Sequence, residues 1–347
     1  MQVAAIPLSQ RQYYRPSETV DFEISPGVGM AVVPGSLRIA GQAIFTDDTT
    51  TNPPVSYTNT VANFIDPQIG AHAFFRQFVV QTDKQGVIQN LQDYHRAMAD
   101  MRSGMKTANM VMNNDSMALA CGNLNLSKNI VGAGAPVSFV IDPEIAINRS
   151  QLVAIPYSKT GNIRLNIILN QGRNQIFGGA ASQGAVLQNL ELHYQVVASA
   201  DDGQAPIKLM SLATVKQVAS SSLAAFSIIS PQPSYALSVN FIATANENAN
   251  NQNSNALGSL PAITRVEYTF ADSNDSIIQY PLENDKEIYR FWLKSYNSMR
   301  ALTDGAGSSM GVAYDQVLAN TKFNIVIQSA LATPTSCYFV FKGVVSI

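Results

Sequence analysis

Leu190-Glu191-Leu192-His193-Tyr194-Gln195-Val196 puts Leu190, Leu192, Tyr194 and Val196 on one face and Glu191, His193 and Gln195 on the other. Alternation with a period of two is the mark of a β-strand with one face in a core and one in water. Runs of the same kind, rich in β-branched and aromatic residues, lie before it at Thr19–Ser25, Ser36–Phe45, Phe74–Gln81, Val137–Ile141, Leu152–Ser158 and Asn162–Leu169. The strand itself spans Ala185–Ala198. The turns between the early runs are Pro26-Gly27, Pro34-Gly35 and Asp83-Lys84-Gln85-Gly86, residues that set turn geometry.

Ser199-Ala200-Asp201-Asp202-Gly203-Gln204 is a polar break, and a boundary is expected near residues 200–205. A second series follows at Ile207–Val218, Leu223–Ser230, Ala236–Thr244, Ile263–Phe270, Ile277–Tyr280, Phe323–Ser329 and Ser336–Val345. Asn246–Gly258 is almost wholly Asn, Gln, Ser and Ala, and reads as a surface excursion or a locally mobile loop.

Two segments have helical spacing instead. Leu91, Tyr94, Met98, Met101 and Met105 form one apolar stripe behind Gln92-Asp93. Ile288, Phe291, Trp292, Tyr296 and Met299 form another behind Asn284-Asp285, which supply an N-cap. Their surroundings match. Phe75-Arg76-Gln77-Phe78 runs into the turn at residues 83–86, then Val87-Ile88-Gln89, then the first helix. Thr264-Arg265-Val266-Glu267-Tyr268 runs into the turn at residues 272–276, then Ile277-Ile278-Gln279, then the second helix. The offset is roughly 190 residues, as expected of two tandem copies of one β-rich unit. The ends echo too: Asn162–Leu169 followed by Leu190–Val197 resembles Asn324–Gln328 followed by Tyr338–Val345.

The expected fold is therefore all-β: two tandem eight-stranded jelly rolls, each a β-sandwich with a short helix in a long connection. Residues 1–18 form an N-terminal arm, 19–200 the first jelly roll and 206–347 the second. Parallel α/β folds are excluded because helices do not alternate with strands.

Composition removes several functions. Of 347 residues, 46% are hydrophobic and 13% charged, against a usual charged share of about 25%. Amides supply the polarity: 28 Asn and 23 Gln. A net charge of −2 offers no basic surplus for neutralising phosphates, so no direct nucleic-acid partner is expected. No stretch approaches the about 20 apolar residues of a membrane-spanning helix. Met1–Ala5 has no basic stretch ahead of an apolar core, which argues against a secretory signal. Cys121 and Cys337 read as buried free thiols. The sequons at Asn114, Asn125, Asn148 and Asn274 are what an Asn- and Ser-rich chain yields by chance.

No motif carries chemistry. Gly307-Ser308-Ser309-Met310-Gly311 fits the G-x-S-x-G pattern. A nucleophile elbow needs an apolar strand just before it, whereas the approach here is Thr303-Asp304-Gly305-Ala306, and His72, His95 and His193 all precede the serine. The segment reads as a flexible loop. The histidines and cysteines show no ligand spacing, and each histidine reads as an ordinary hydrogen-bonding residue. Asp47-Asp48 and Asp201-Asp202 lie in turn-rich loops; a glycosidase pair would need distant strands to converge. Gly132-Ala133-Gly134 lacks the Lys and Ser/Thr of a phosphate loop. The methionines from Met98 to Met117 serve either as an adaptable contact surface or as gap-filling between helix and sheet. No catalytic, cofactor-binding or metal-ligating residue is assigned, and no cofactor or small-molecule substrate is expected.

Phe64-Ile65-Asp66-Pro67-Gln68-Ile69-Gly70-Ala71-His72-Ala73-Phe74-Phe75-Arg76, followed by Gly86–Tyr94, resembles the double jelly-roll major capsid proteins of tailless icosahedral viruses, the lineage of membrane-containing phages and adenovirus hexons. Members show an Asp-Pro turn, Gly-Ala, a strand with Arg, then a Gly turn leading to an aromatic-ended helix start. They frequently carry Glu where this chain has Gln89 and Asn where it has His95. The resemblance implies a non-enzymatic major capsid protein, three copies forming a six-lobed capsomer that tiles a shell. It implies location in the virion after synthesis in the host cytoplasm, with penton or minor capsid proteins, and an internal membrane, as further partners. Amide-rich, charge-poor surfaces suit the close packing of many copies. The arm, with Arg11, Tyr13, Tyr14 and Arg15, is expected to reach a neighbouring subunit or an underlying layer. Alternatives are a β-sandwich carbohydrate-binding or adhesion protein, marked by aromatics along one sheet or rim, and a glycan hydrolase.

Overall fold

The computed structural model describes residues 1–46, 48–54, 69–105, 136–149, 154–175, 184–199, 206–247, 263–271, 275–295, 310–330 and 334–347. Four antiparallel sheets account for its strands. In the first half, β1 (Gln2–Ala5), β4 (Arg38–Thr46), β7 (Val137–Ile141) and β10 (Gly184–Ala198) form one sheet in the order β7-β4-β10-β1. Two short strands, β3 (Met30–Val32) and β8 (Ile155–Pro156), extend it from the end of β10. The opposite sheet runs β2-β9-β5-β6, from β2 (Thr19–Ile24), β9 (Ile163–Leu169), β5 (Phe75–Thr82) and β6 (Gly86–Leu91).

The second half repeats the plan. Its first sheet has the order β11-β18-β13-β16, from β11 (Lys208–Ala219), β18 (Thr335–Ser346), β13 (Ser234–Ala243) and β16 (Met310–Leu318). Its second runs β12-β17-β14-β15, from β12 (Leu223–Ile229), β17 (Lys322–Ser329), β14 (Ile263–Ala271) and β15 (Ile277–Leu282). With β3 and β8 set aside, the two halves have the same eight strands in the same neighbour order, the arrangement of a jelly roll. The helix after the fifth of these strands also repeats: α1 (Tyr94–Met105) follows β6 and α2 (Asp285–Ser295) follows β15. Asn284 caps α2 as expected, its Oδ1 accepting the Glu287 N–H at 3.0 Å.

Alternation along each strand builds the cores. On β10, Leu190, Leu192, Tyr194 and Val196 are buried while Glu191 and Gln195 are exposed. They meet Phe22 and Ile24 of β2, Phe78 and Val80 of β5, and Ile163, Leu165 and Ile167 of β9 in one apolar cluster. In the second half Phe226, Val239, Tyr268, Phe270, Phe323, Phe339 and Phe341 do the same work. The first core does not stop at the half-way point: Leu209, Leu212, Val340 and Ile347 of the second half join it.

Several expectations need correction. Of the strand expected at Leu152–Ser158, the described residues hold strand at Ile155–Pro156 and then a helical turn at Tyr157–Thr160. The loop expected at Gly307–Gly311 gives way to strand at Met310, and β16, like β3, was not foreseen. Residues 1–18 contain β1, which pairs Gln2–Ala5 with Leu192–Gln195 of the same chain, and Tyr14 is buried with its backbone bonded to Leu187. The described part of this segment thus lies along the first sandwich and supplies its edge strand.

Candidate functional site

The part of the molecule with the most buried polar chemistry is the seam between the two sandwiches. There β6, α1 and the helical turn Ala146–Arg149 of the first half lie on the outer face of β11, β18 and β13 of the second. A strand face opposite a core normally carries residues suited to water. Here that face, with Ser238, Asn240, Tyr338 and Lys342, is buried, so its polar groups need partners from the other sandwich.

Gln89 is the central pin. Its side chain is buried, Nε2 donates to the Leu212 carbonyl at 2.9 Å, and Oε1 accepts the Ala146 N–H at 2.8 Å. One amide therefore joins both sandwiches and the turn between them. Ser238 Oγ donates to Asp100 Oδ2 at 2.5 Å, and Lys342 Nζ donates to the Ser295 carbonyl at 3.0 Å. Burial drives the Lys342 ammonium down to about 7, although the Asp100 carboxylate works to hold its proton.

Beside these residues a cavity of about 190 Å³ opens, lined by Arg76, Asp93, His95, Arg96, Lys216 and Glu247, with Asn170, Gln171 and Tyr338. Arg96 Nη2 donates to the Glu247 carbonyl at 2.9 Å and the guanidinium lies over the Tyr338 ring, 5.7 Å from its centroid. The Glu247 carboxylate bonds Lys216 and the Tyr338 hydroxyl, and accepts from Ser336 at 3.1 Å. Burial works to raise the Glu247 carboxyl, but the bonds from Lys216, Tyr338 and Ser336 outweigh it and hold it below the usual range. Asp93 moves the other way, raised by burial against the pull of Arg76, Arg96 and Lys216. Burial keeps His95 neutral far below its ordinary range. The Lys216–Glu247 pair lies within the second sandwich, and Arg96 of the first joins it through the Glu247 carbonyl.

The sequence-derived candidates do not converge. His72 is buried and its Nδ1 bonds the Tyr94 hydroxyl at 2.7 Å; His193 lies on the outer face of β10 beside Glu191 at 3.0 Å. Among the described residues no three His, Cys, Asp or Glu side chains gather to hold a metal. Asp48 accepts from the Thr50 N–H at 2.8 Å, a local turn bond that lowers its carboxyl together with the Thr50 hydroxyl. Cys337 is a buried free thiol pushed up to about 12 by burial. Met98 and Met101 are buried, and Asn148 is held by Leu37 and Pro143. Cys121, Asn114, Asn125, Asn274, Asp47, Asp201, Asp202, Gly132–Gly134, Gly307–Ser309 and the capsid-like stretch before Ile69 lie outside the described residues, as does Asn246–Gly258 apart from Asn246 and Glu247. Glu247 was missed by sequence reasoning; its one signal was being the sole charge at the edge of an Asn-rich run.

No protein-family model matches the chain, and neither does any curated protein sequence. Solved structures do. PBCV-1 VP54, as fitted into a reconstruction of the virophage Sputnik, superposes with a TM-score of 0.62 at 11% identity, covering 100% of this chain and 94% of that one. The Faustovirus major capsid protein gives 0.59 at 10% identity, covering 100% and 90%. The mavirus major capsid protein gives 0.55 at 12%, covering 98% and 86%. This chain has the double jelly-roll fold of viral major capsid proteins. The superposition spans the whole chain, both rolls included.

Proposed function

We propose that the chain is the major capsid protein of a tailless icosahedral virus, and that three copies form a six-lobed capsomer which tiles the shell. The observation that carries this reading is the repeat itself. Two jelly rolls of one strand order, each with its helix after the fifth strand, are joined by hydrogen bonds from Gln89 to the Leu212 carbonyl, from Ser238 to Asp100 and from Arg96 to the Glu247 carbonyl. A unit made of two near-equivalent lobes lets a trimer present six similar edges, which is what a hexagonal lattice needs. The work is done by surface and not by a pocket. Neighbouring copies are the main partners, with penton or minor proteins and an underlying membrane as further contacts, and the virion is the location.

The carbohydrate-binding alternative called for aromatic rings along a sheet or rim. The phenylalanines that are fully buried lie in the two cores, and among the described residues no exposed large apolar side chain is aromatic. Light scattering on the purified chain tests the proposal: it predicts a mass of three chains at micromolar concentration, and a single-chain mass at all concentrations would overturn it.

A further inference from the structure

The cavity at the seam takes its walls from both sandwiches. Arg76 comes from β5, and Asp93, His95 and Arg96 from the start of α1, all in the first roll. Lys216 of β11, Glu247 after β13 and Tyr338 of β18 come from the second. The volume of about 190 Å³ is far above the ~10–15 Å³ that a single water needs. A space of that size lined by charged groups holds polar matter.

The charges set the sign of its occupant. Three cations, Arg76, Arg96 and Lys216, face two carboxylates, Asp93 and Glu247. Glu247 is already engaged, its carboxylate bonding Lys216, the Tyr338 hydroxyl and, at 3.1 Å, the Ser336 hydroxyl. An ammonium has three donors, so Lys216 can serve Glu247 and a second acceptor together. Arg96 is buried, and its Nη2 donates at 2.9 Å to the Glu247 carbonyl, an acceptor without net charge. Arg76 is exposed and stands where the cavity meets solvent. The first turn of α1 adds the positive end of the helix dipole.

His95 adds a donor in need of an acceptor. It is 4% exposed, burial with Arg96 and Arg76 nearby keeps its ring neutral, and its Nδ1 has no hydrogen-bond partner among the described residues. A buried polar atom without a partner is costly, and the Nδ1–H tautomer suits an oxyanion oxygen. Asn240, opposite Tyr338 in the pairing of β13 with β18, is also buried with neither side-chain amide atom bonded. Unmet polar demand therefore exists on both sides of the seam.

We propose that this cavity binds one phosphate-class oxyanion, held between the two sandwiches by Arg76 and Arg96 of the first roll and Lys216 of the second. A tetrahedral oxyanion offers several acceptor oxygens at once, so one ion can take hydrogen bonds from guanidinium and ammonium groups on different elements. The same three positive charges repel a metal cation. The bound ion is a removable staple: Gln89 and Ser238 join the rolls without it, and its binding adds stability by mass action. The inference concerns the seam alone and stands or falls apart from the capsid reading.

Isothermal titration calorimetry of sodium phosphate into the full chain, with ionic strength held constant by sodium chloride, tests it. Wild type is expected to bind one phosphate per chain saturably, and Arg76→Gln to weaken binding about tenfold through loss of one charge-assisted contact. Arg76 is exposed, so its replacement leaves the cores intact. Lys216→Gln repeats the test from the other roll, and circular dichroism checks that both variants fold. Arg265→Gln, which removes a cation paired with Glu267 on β14, should bind phosphate like wild type. Phosphate should also raise the thermal midpoint of wild type more than that of the two cavity variants, which separates the site from phosphate's general stabilising effect. Glycerol 3-phosphate distinguishes the sources of the group: binding equal to phosphate means that a phosphoester enters, and its failure means that only the free ion fits. No saturable binding by wild type up to phosphate concentrations on the order of 10 mM, or wild-type affinity in both cavity variants, overturns the proposal.

Discussion

Gln89 shows how much one buried amide can hold. Replacing it with alanine leaves the Leu212 carbonyl and the Ala146 N–H buried without their partner, and each such group costs about 1–3 kcal/mol. Gln89→Ala is therefore expected to lower the stability measured by urea unfolding by ~2–4 kcal/mol. Lys342 makes a different prediction. Its folded-state pKa is lowered from the ordinary 10.5 to about 7 by burial. Below about 7 both folded and unfolded states carry the proton, and the full cost of burying the charge is present. Between about 7 and 10.5 the folded state sheds the proton while the unfolded state keeps it, so stability from this group rises with pH, by up to about 1.4 kcal/mol per pH unit. Lys342→Met should flatten that rise, as read from urea midpoints across this window. Neither role was legible in sequence, because Gln89 and Lys342 are polar residues on strands whose apolar positions already account for the cores. Gln89 bonds a carbonyl 123 residues away along the chain, and Lys342 bonds one 47 residues away in its own sandwich.

At the scale of elements, the close approach of β18 to the turn before β13 sets a sharp limit. A Cβ at Gly343 would stand 2.1 Å from the Pro233 carbonyl oxygen, beside the irregular pairing between Ser234 and Ala236. Gly41 on β4 is similar, where a Cβ would meet Leu190 Cδ2 at 2.6 Å inside the first core. Gly343→Ala has backbone against it and Gly41→Ala a flexible side chain, so the first should cost more than the second, with overpacking costs of about 1–3 kcal/mol as the scale. Thermal unfolding of the two variants checks the order. The period-two strands and the two helical stripes were readable because each depends on residues adjacent in sequence. The repeat was readable for the same reason, since β5-β6-α1 and β14-β15-α2 keep their local order. What escaped was short or composed of weak signals: β3 has three residues, β1 is Gln-Val-Ala-Ala, and β16 opens directly after a Gly- and Ser-rich run. Leu152–Ser158 misled in the other direction, since its β-branched start gives way to a helical turn after Pro156.

The whole molecule is two lobes of one strand order, and the proposed function follows from that repeat. Low charge and abundant amides leave surfaces that many copies can share without accumulating repulsion. Buried hydrogen bonds from Gln89 and Ser238 link the two lobes at the seam. Class averages of the purified chain by negative-stain electron microscopy test this most directly. The account predicts threefold particles with six lobes of nearly equal size; isolated two-lobed particles at every concentration would contradict it.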